Sequence, residues 1–219
     1  DENKDIINVE LAGVTDKERV RKYLQASANL QFWEVYNIDE LGTSLENADK
    51  AVTSYLTGVT ADTTQAVDSV KIKANKNAFL KLINPLSPQT DKTGKKVYPS
   101  ALGNVLLKDT GKYFEYMALE NVKLLFPADC KFLFGVAEKV EKTGERYYPL
   151  YAIKTVLGSE KAKLEGDGVE ESSQSYDDRG RPSIKMQMTN KDNKTWAKLT
   201  TDNTNRPIAI VLDDVVYSA

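Results

Sequence analysis

"GRPSIKMQMTNKDNKTWAKLTTDNTNRPIAIVLDDVVYSA", Gly180 to Ala219, is the stretch whose reading decides the fold class. Within it "SIKMQMT" alternates Ile184, Met186 and Met188 on one face, the period of a half-buried strand. "TNKDNKTWAKLTTDN" then opens on Thr189 as N-cap, places Asp192 by the positive end of the helix dipole, and sets Trp196 and Leu199 on one face. "PIAIVL" is a continuous apolar strand, and Asp213 with Asp214 makes a two-residue turn into "VVYSA". A strand, a helix and a hairpin in direct succession predict an α+β fold with antiparallel strands.

Upstream, "RYYPLYAIK" (Arg146 to Lys154) and "CKFLFGVAE" (Cys130 to Glu138) read as two strands around the charged, glycine-containing loop "KVEKTGE". "GSEKAKLEGDGVEESSQSYDDRGRP" reads as a polar connection with one short strand at Ala162 to Leu164. "KDTGKYFEYMALENVKLLFP" predicts a helix opened by Asp109 and Thr110 and closed by Pro127. A short helix is expected over "NKNAFLKLI", followed by an exposed loop at "SPQTDKTGKK". In "SLENADKAVTSYLTGVT", Leu45, Ala48, Val52 and Leu56 recur at helical spacing, with Gly58 as the stop. The first residues give a strand, helix, strand unit: "IINVELAGV", then "TDKERVRKYLQASA" with Thr15 and Glu18 at capping-box spacing, then "NLQFWEVY".

Composition excludes more than it suggests. The chain has 219 residues, 41% hydrophobic and 28% charged, with 30 basic against 32 acidic side chains, the balance of an ordinary globular domain. That balance lacks the excess of Lys and Arg a nucleic-acid surface needs, so no nucleic-acid partner is expected. The absence of histidine removes Ser-His, Cys-His and zinc-histidine chemistry. A single cysteine, Cys130, precludes an internal disulfide, and no apolar run is long enough to span a bilayer. The chain opens at Asp1 and ends within a strand, which predicts an excised piece of a longer protein.

The remaining candidates each have a plainer structural reading beside them. Asp213 and Asp214 are a carboxylate pair of the kind found in metal and acid-base sites, but successive strand positions point to opposite faces and Asp suits a turn. Asp177, Asp178 and "DGVEE" lack calcium-loop spacing, and "GDG" at Gly166 lacks the rest of a phosphate loop. Cys130 without a histidine partner reads as a small buried apolar residue. Catalytic, cofactor and metal residues are therefore expected to be none. The aromatic stretches "RYYPLYA", with Tyr147, Tyr148 and Tyr151, and "QFWEVY", with Phe32, Trp33 and Tyr36, are the candidate surface for extended peptide, against the alternative of core packing on strands.

Gly180 to Ala219 also resembles the signature stretch of the SecD family of protein-export membrane proteins: G-x-P, an alternating strand, a Thr-capped helix with a buried aromatic, a T-x-x-N-x-x-R/K turn, and "LAIVLDG" before Ser-Ala-Pro. "IINVELAGVTDKERVRKYLQASANLQFWEV" is similar to the family's opening unit, with Leu11, Gly13, Val14, Leu30 and Phe32 at matching places. Ala12 stands where the family has Pro, and Asp214 where it has Gly. The resemblance implies the periplasmic loop between the first two transmembrane helices of an inner-membrane protein. Residues 1–36 would be the second half of a ferredoxin-like base and residues 37–219 an α+β head with an enlarged insertion at about 37–150. It further implies a non-enzymatic role without cofactor, in which the head holds emerging preprotein and swings on the base, with Tyr36 and Asn37 as the expected hinge. SecF and the SecYEG channel would be its partners, and the proton gradient its energy source. A free-standing binding protein for a small ligand or glycan is the alternative, motivated by the aromatic hairpin. An acid-base hydrolase is the third reading.

Overall fold

The first described strand, β1 (Leu30–Val35), carries apolar side chains on both faces, so both must be covered. The computed structural model describes residues 30–58, 75–156, 159, 161–176 and 182–219. After β1 the chain turns directly into α1 (Ile38–Thr57), which starts before the expected Ser44 because Asn37 and Glu40 form a capping box. Leu41, Leu45, Ala48 and Val52 form its buried stripe, and Gly58 ends it at a φ of 69°, in the left-handed region. α2 (Ala78–Ile83) receives no cap from its own Asn77. Instead the buried Asp49 of α1 accepts hydrogen bonds from the Phe79 and Leu80 amides at 2.9 and 3.1 Å, a cap supplied from another helix.

The predicted exposed loop contains a small hairpin, β2 (Gln89–Thr90) with β3 (Lys96–Val97). β4 (Gly103–Leu106) follows, unread in the sequence. Its Gly103 lies against the end of α2, where an added Cβ would stand 2.2 Å from the Ile83 carbonyl oxygen. In place of one helix there are two, α3 (Thr110–Met117) and α4 (Glu120–Lys123), separated at Leu119 by extended backbone. β5 (Cys130–Gly135), β6 (Glu138–Lys139) and β7 (Arg146–Lys154) form the expected hairpin. Pro149, which has no N–H to give, sits between the end of the β5 pairing at Leu150 and the start of the β6 pairing at Tyr147.

The short strand expected at Ala162 to Leu164 begins two residues later, as β8 (Leu164–Glu165), and the "GDG" that follows is a single 3₁₀ turn. The remainder of the polar connection is not a loop. β9 (Val169–Tyr176) pairs along its length with β10 (Pro182–Met188) in a separate two-stranded ribbon. α5 (Asn193–Asp202) begins later than read: Thr189 does not cap it but accepts from the Asp192 amide in a turn ahead of the helix, and Asp192 takes the N-cap position. β11 (Ile208–Leu212) and β12 (Val215–Ser218) complete the chain as read. Asp213 and Asp214, at φ of 48° and 60°, form the two-residue turn of the last hairpin.

The main sheet closes on itself. β7 pairs with β5, β5 with β12 in parallel, β12 with β11, β11 with β1, and the end of β1 returns to β7 at Glu34 and Val35. This is a small five-stranded barrel, and side chains fill its interior. Trp33, Val35, Leu133, Ile153, Val211 and Val216 are the principal inward residues. On the outer surface α1 to α4 cover β4, β5 and β7 with a core that includes Leu41, Phe79 and Leu150. α5 and the ribbon cover β1, β8 and β11 through Phe32, Leu164, Met188 and Leu199.

The α+β class is as read. The division of the sequence at 36/37 is not a division of the sheet: β1 from the first segment and β5 from the expected insertion are both barrel strands. The reason is the doubly apolar character of β1, with Phe32 facing the outer core and Trp33 the interior. The expected strand at Ile6 to Val14, the helix after it, and Asp177 and Asp178 lie outside the described residues. Among the described residues, no helix is long and apolar enough to cross a membrane.

Candidate functional site

Alternation along β7 separates the three tyrosines named from the sequence. Tyr151 stands opposite Leu133 and packs against the barrel interior, above Gly135. A Cβ at Gly135 would come within 2.9 Å of the Tyr151 ring, so the glycine makes room for it. Burial pushes the Tyr151 hydroxyl pKa up. Tyr147 shares that parity beyond the closed part of the barrel, and its hydroxyl donates to Glu138, which raises its pKa. It lines a cavity of about 610 Å³ together with Asn84, Asn104, Leu106, Lys139 and Lys142.

Tyr148 faces the other way. Its ring lies 5.5 Å from that of Phe134, which meets Phe114 edge-on at 5.8 Å and Tyr113 at 5.2 Å. Phe114 is 59% exposed although it belongs to this stack, while Tyr113 is buried beneath it. Tyr113 Oη has no hydrogen-bond partner among the described residues, and burial pushes its pKa up. The result is an aromatic ledge, Phe114, Phe134 and Tyr148, built from α3, β5 and β7. Phe114 meets Phe134 edge-on and Tyr148 lies tilted against it at 42°, and aromatic rings packed in this way present apolar area at little entropy cost. Of these three rings only Tyr148 is among the residues named from the sequence. Phe114 follows Tyr113 by about 100° around the helix, which sets it at the edge of the buried face rather than within it.

The Tyr36–Asn37 junction is held on every side. The Tyr36 amide donates to the Ala152 carbonyl at 2.8 Å, its hydroxyl donates to Asp129 at 2.7 Å, and Lys154 Nζ lies 4.5 Å over its ring. Burial first and Asp129 second push the Tyr36 hydroxyl pKa up. Asn37 caps α1 and donates its own amide to Glu40. The Glu40 carboxylate also receives Lys154 Nζ at 2.9 Å and Arg206 Nη2 at 2.7 Å. Burial alone would raise the Glu40 carboxyl, but the bonds from Arg206, Asn37 and Lys154 outweigh it and hold the group at about 2. Tyr36 is therefore anchored to β7 and to Asp129 just before β5, while Asn37 belongs to the capping box of α1.

Cys130 is mostly buried, and burial pushes its thiol up to about 12, so it is not a nucleophile at neutral pH. Among the described residues, no group of three or more carboxylate or thiol side chains is placed to hold a metal ion.

Two family models match the chain. One, described as SecDF, P1 head subdomain, covers residues 145–219, and the other, described as Protein translocase subunit SecDF, P1 domain, N-terminal, covers residues 1–37. The protein translocase subunit SecD of Rhodothermus marinus is 31% identical over 97% of the chain. This chain belongs to the SecD/SecDF family, as part of its P1 region. It spans 34% of the length of that SecD relative. No solved structure matches it.

On the fold, the P1 head match begins at the turn into β7 and takes in β7 to β12 with α5. The N-terminal P1 match ends at Asn37, two residues after β1. β5 and the helical layer lie between the two matches, in residues 38–144, yet the alignment with the SecD relative runs through nearly the whole chain. The region read from the sequence as an insertion therefore has a counterpart in a SecD relative. The ledge joins both parts, since Tyr148 lies within the P1 head match and Phe114 and Phe134 within the intervening residues.

Proposed function

We propose that this P1 region acts on the periplasmic side of the inner membrane as the part of a SecD-type protein that transiently holds emerging preprotein. In this reading it works with SecF and the SecYEG channel, and the proton gradient drives export through a membrane domain outside this chain. Its role is binding, not catalysis. The chain's relation to a protein translocase subunit supports the setting. The observation that carries the binding role is the exposed Phe114 ring, held against Phe134 and Tyr148. Unfolded segments offer alternating apolar side chains without fixed shape, and a rigid aromatic surface takes these with low selectivity. Of the three tyrosines expected from the sequence, Tyr148 is the one proposed to contact preprotein.

The test is site-specific photocrosslinking in the full-length membrane protein during translocation of a preprotein arrested midway. A probe at Phe114 should capture the arrested chain, whereas one at the inward-packed Tyr151 should not. Equal capture at both positions, or none at Phe114, would sink the assignment.

A further inference from the structure

The barrel is not equally strong around its circumference. β5 pairs with β7 over five residue pairs and β1 with β11 over five, while β1 meets β7 over only two and β5 meets β12 over only two. The β5–β12 joint is also the parallel one, and parallel pairing is slightly weaker per residue. These two short joints divide the ring into two halves. One half is β4, β5 and β7 beneath the helical layer, and the other is β1, β11 and β12 beside α5 and the ribbon. Each half keeps its own core on the outside of the barrel, and only the interior around Trp33 is shared between them.

Each joint is bridged by charge. At the β1–β7 joint, Arg206 from the second half reaches the Glu40 carboxylate on α1, and Lys154 of β7 binds the same group. Directly beneath, Glu34 and Lys154 are cross-strand partners. At the β5–β12 joint, Lys131 of β5 bridges to Asp214 in the turn before β12, at 2.6 Å. The side-chain and backbone anchors of Tyr36, to Asp129, Ala152 and Lys154, all lie in the first half, so the chain can bend between Val35 and Tyr36 without releasing them.

We propose that the barrel is a two-part clasp: its halves separate along the β1–β7 and β5–β12 joints, and the Arg206–Glu40 and Lys131–Asp214 bridges help hold it shut. The motion goes beyond the preprotein reading and does not depend on it. Opening exposes the interior face of each half-sheet while leaving both outer cores packed. Because the bridges are partly exposed, salt weakens them, and the closed state loosens as ionic strength rises.

The two tryptophans make this measurable. Trp33 lies in the shared interior, 4% exposed, while Trp196 packs edge-on against Phe32 in the outer core of the second half. In Trp196→Phe, acrylamide quenching reports Trp33; in Trp33→Phe, it reports Trp196. Between 0.02 and 1 M NaCl, and again in the double variant R206M/K131M, the Trp33 quenching constant should rise about three- to tenfold. The Trp196 constant should stay unchanged, and Lys123→Met, which removes an ion pair within α4, should alter neither. If the double variant does not fold by circular dichroism, the single variants and the salt series carry the test. The proposal is overturned if Trp33 stays as protected as in the unaltered barrel, or if both tryptophans become accessible in the same proportion.

Discussion

Replacing Asp49 by alanine removes the cap that α1 supplies to α2. The carboxylate is 7% exposed and accepts from two amides, Phe79 N and Leu80 N, that have no other cap because Asn77 provides none. Losing a helix cap costs about 1 kcal/mol, and leaving a buried donor unsatisfied costs about 1–3 kcal/mol. A cavity of about 580 Å³ lined by Asp49, Thr53 and Asn77 lets water reach part of the site, which favours the lower end for one of the two amides. The expected loss for Asp49→Ala is therefore about 2–4 kcal/mol. Asp49→Asn keeps an acceptor in the same place and should lose only about 1 kcal/mol. Urea unfolding followed by circular dichroism measures both, with the difference read from the midpoint at constant m. A loss below about 0.5 kcal/mol for Asp49→Ala would refute the cap as a source of stability, because an unimportant surface change produces that much.

Other perturbations have equally definite signs. Gly103→Ala forces a Cβ into the Ile83 carbonyl and should lower stability by about 2–4 kcal/mol, measured by thermal unfolding, whereas Gly111→Ala, with open space around it, should not. Asp214→Gly relieves a left-handed aspartate by about 1 kcal/mol but gives up the exposed Lys131 bridge, worth about 0–1 kcal/mol; Asp213→Gly has only the relief and should be the more stabilising of the two in urea. Glu40 has a folded pKa near 2 against 4.5 for the free group, so its contribution is complete above pH 4.5 and disappears as pH falls toward 2. That shift corresponds to about 3 kcal/mol, reduced by partial exposure to about 1–2 kcal/mol. Acid titration of stability should thus be shallower in Glu40→Gln between pH 4.5 and 2, and parallel curves would contradict it.

Local signals in the sequence were sufficient where one side chain decided one backbone feature. Gly58 stops α1, Asp213 and Asp214 turn the last hairpin, and the Trp196 and Leu199 face of α5 lies on the sheet as read. The N-x-x-E spacing of Asn37 and Glu40 was also legible as a capping box, and would have placed the start of α1 correctly. What could not be read is non-local. "VEESSQSY" has no apolar period, and β9 is a strand because β10 pairs with it. The break at Leu119 has neither proline nor glycine to announce it. Barrel closure depends on β1 meeting β7 across more than a hundred residues of chain, and alternation in either strand says nothing of that. The ledge was half legible for the same reason: Tyr148 stood in an aromatic strand, but Phe114 joins it only through tertiary packing.

The aromatic ledge is proposed to hold unfolded polypeptide. The most direct measurement is the affinity of the chain for a permanently unfolded reporter polypeptide, by fluorescence anisotropy, in the unaltered chain and in Phe114→Ser. Phe114 is more than half exposed, so the substitution should leave the fold intact. Binding should be weak and fall at least fivefold in Phe114→Ser, with no binding of the same polypeptide when folded. Equal affinity in the two chains, or tight selectivity for one folded ligand, would contradict it.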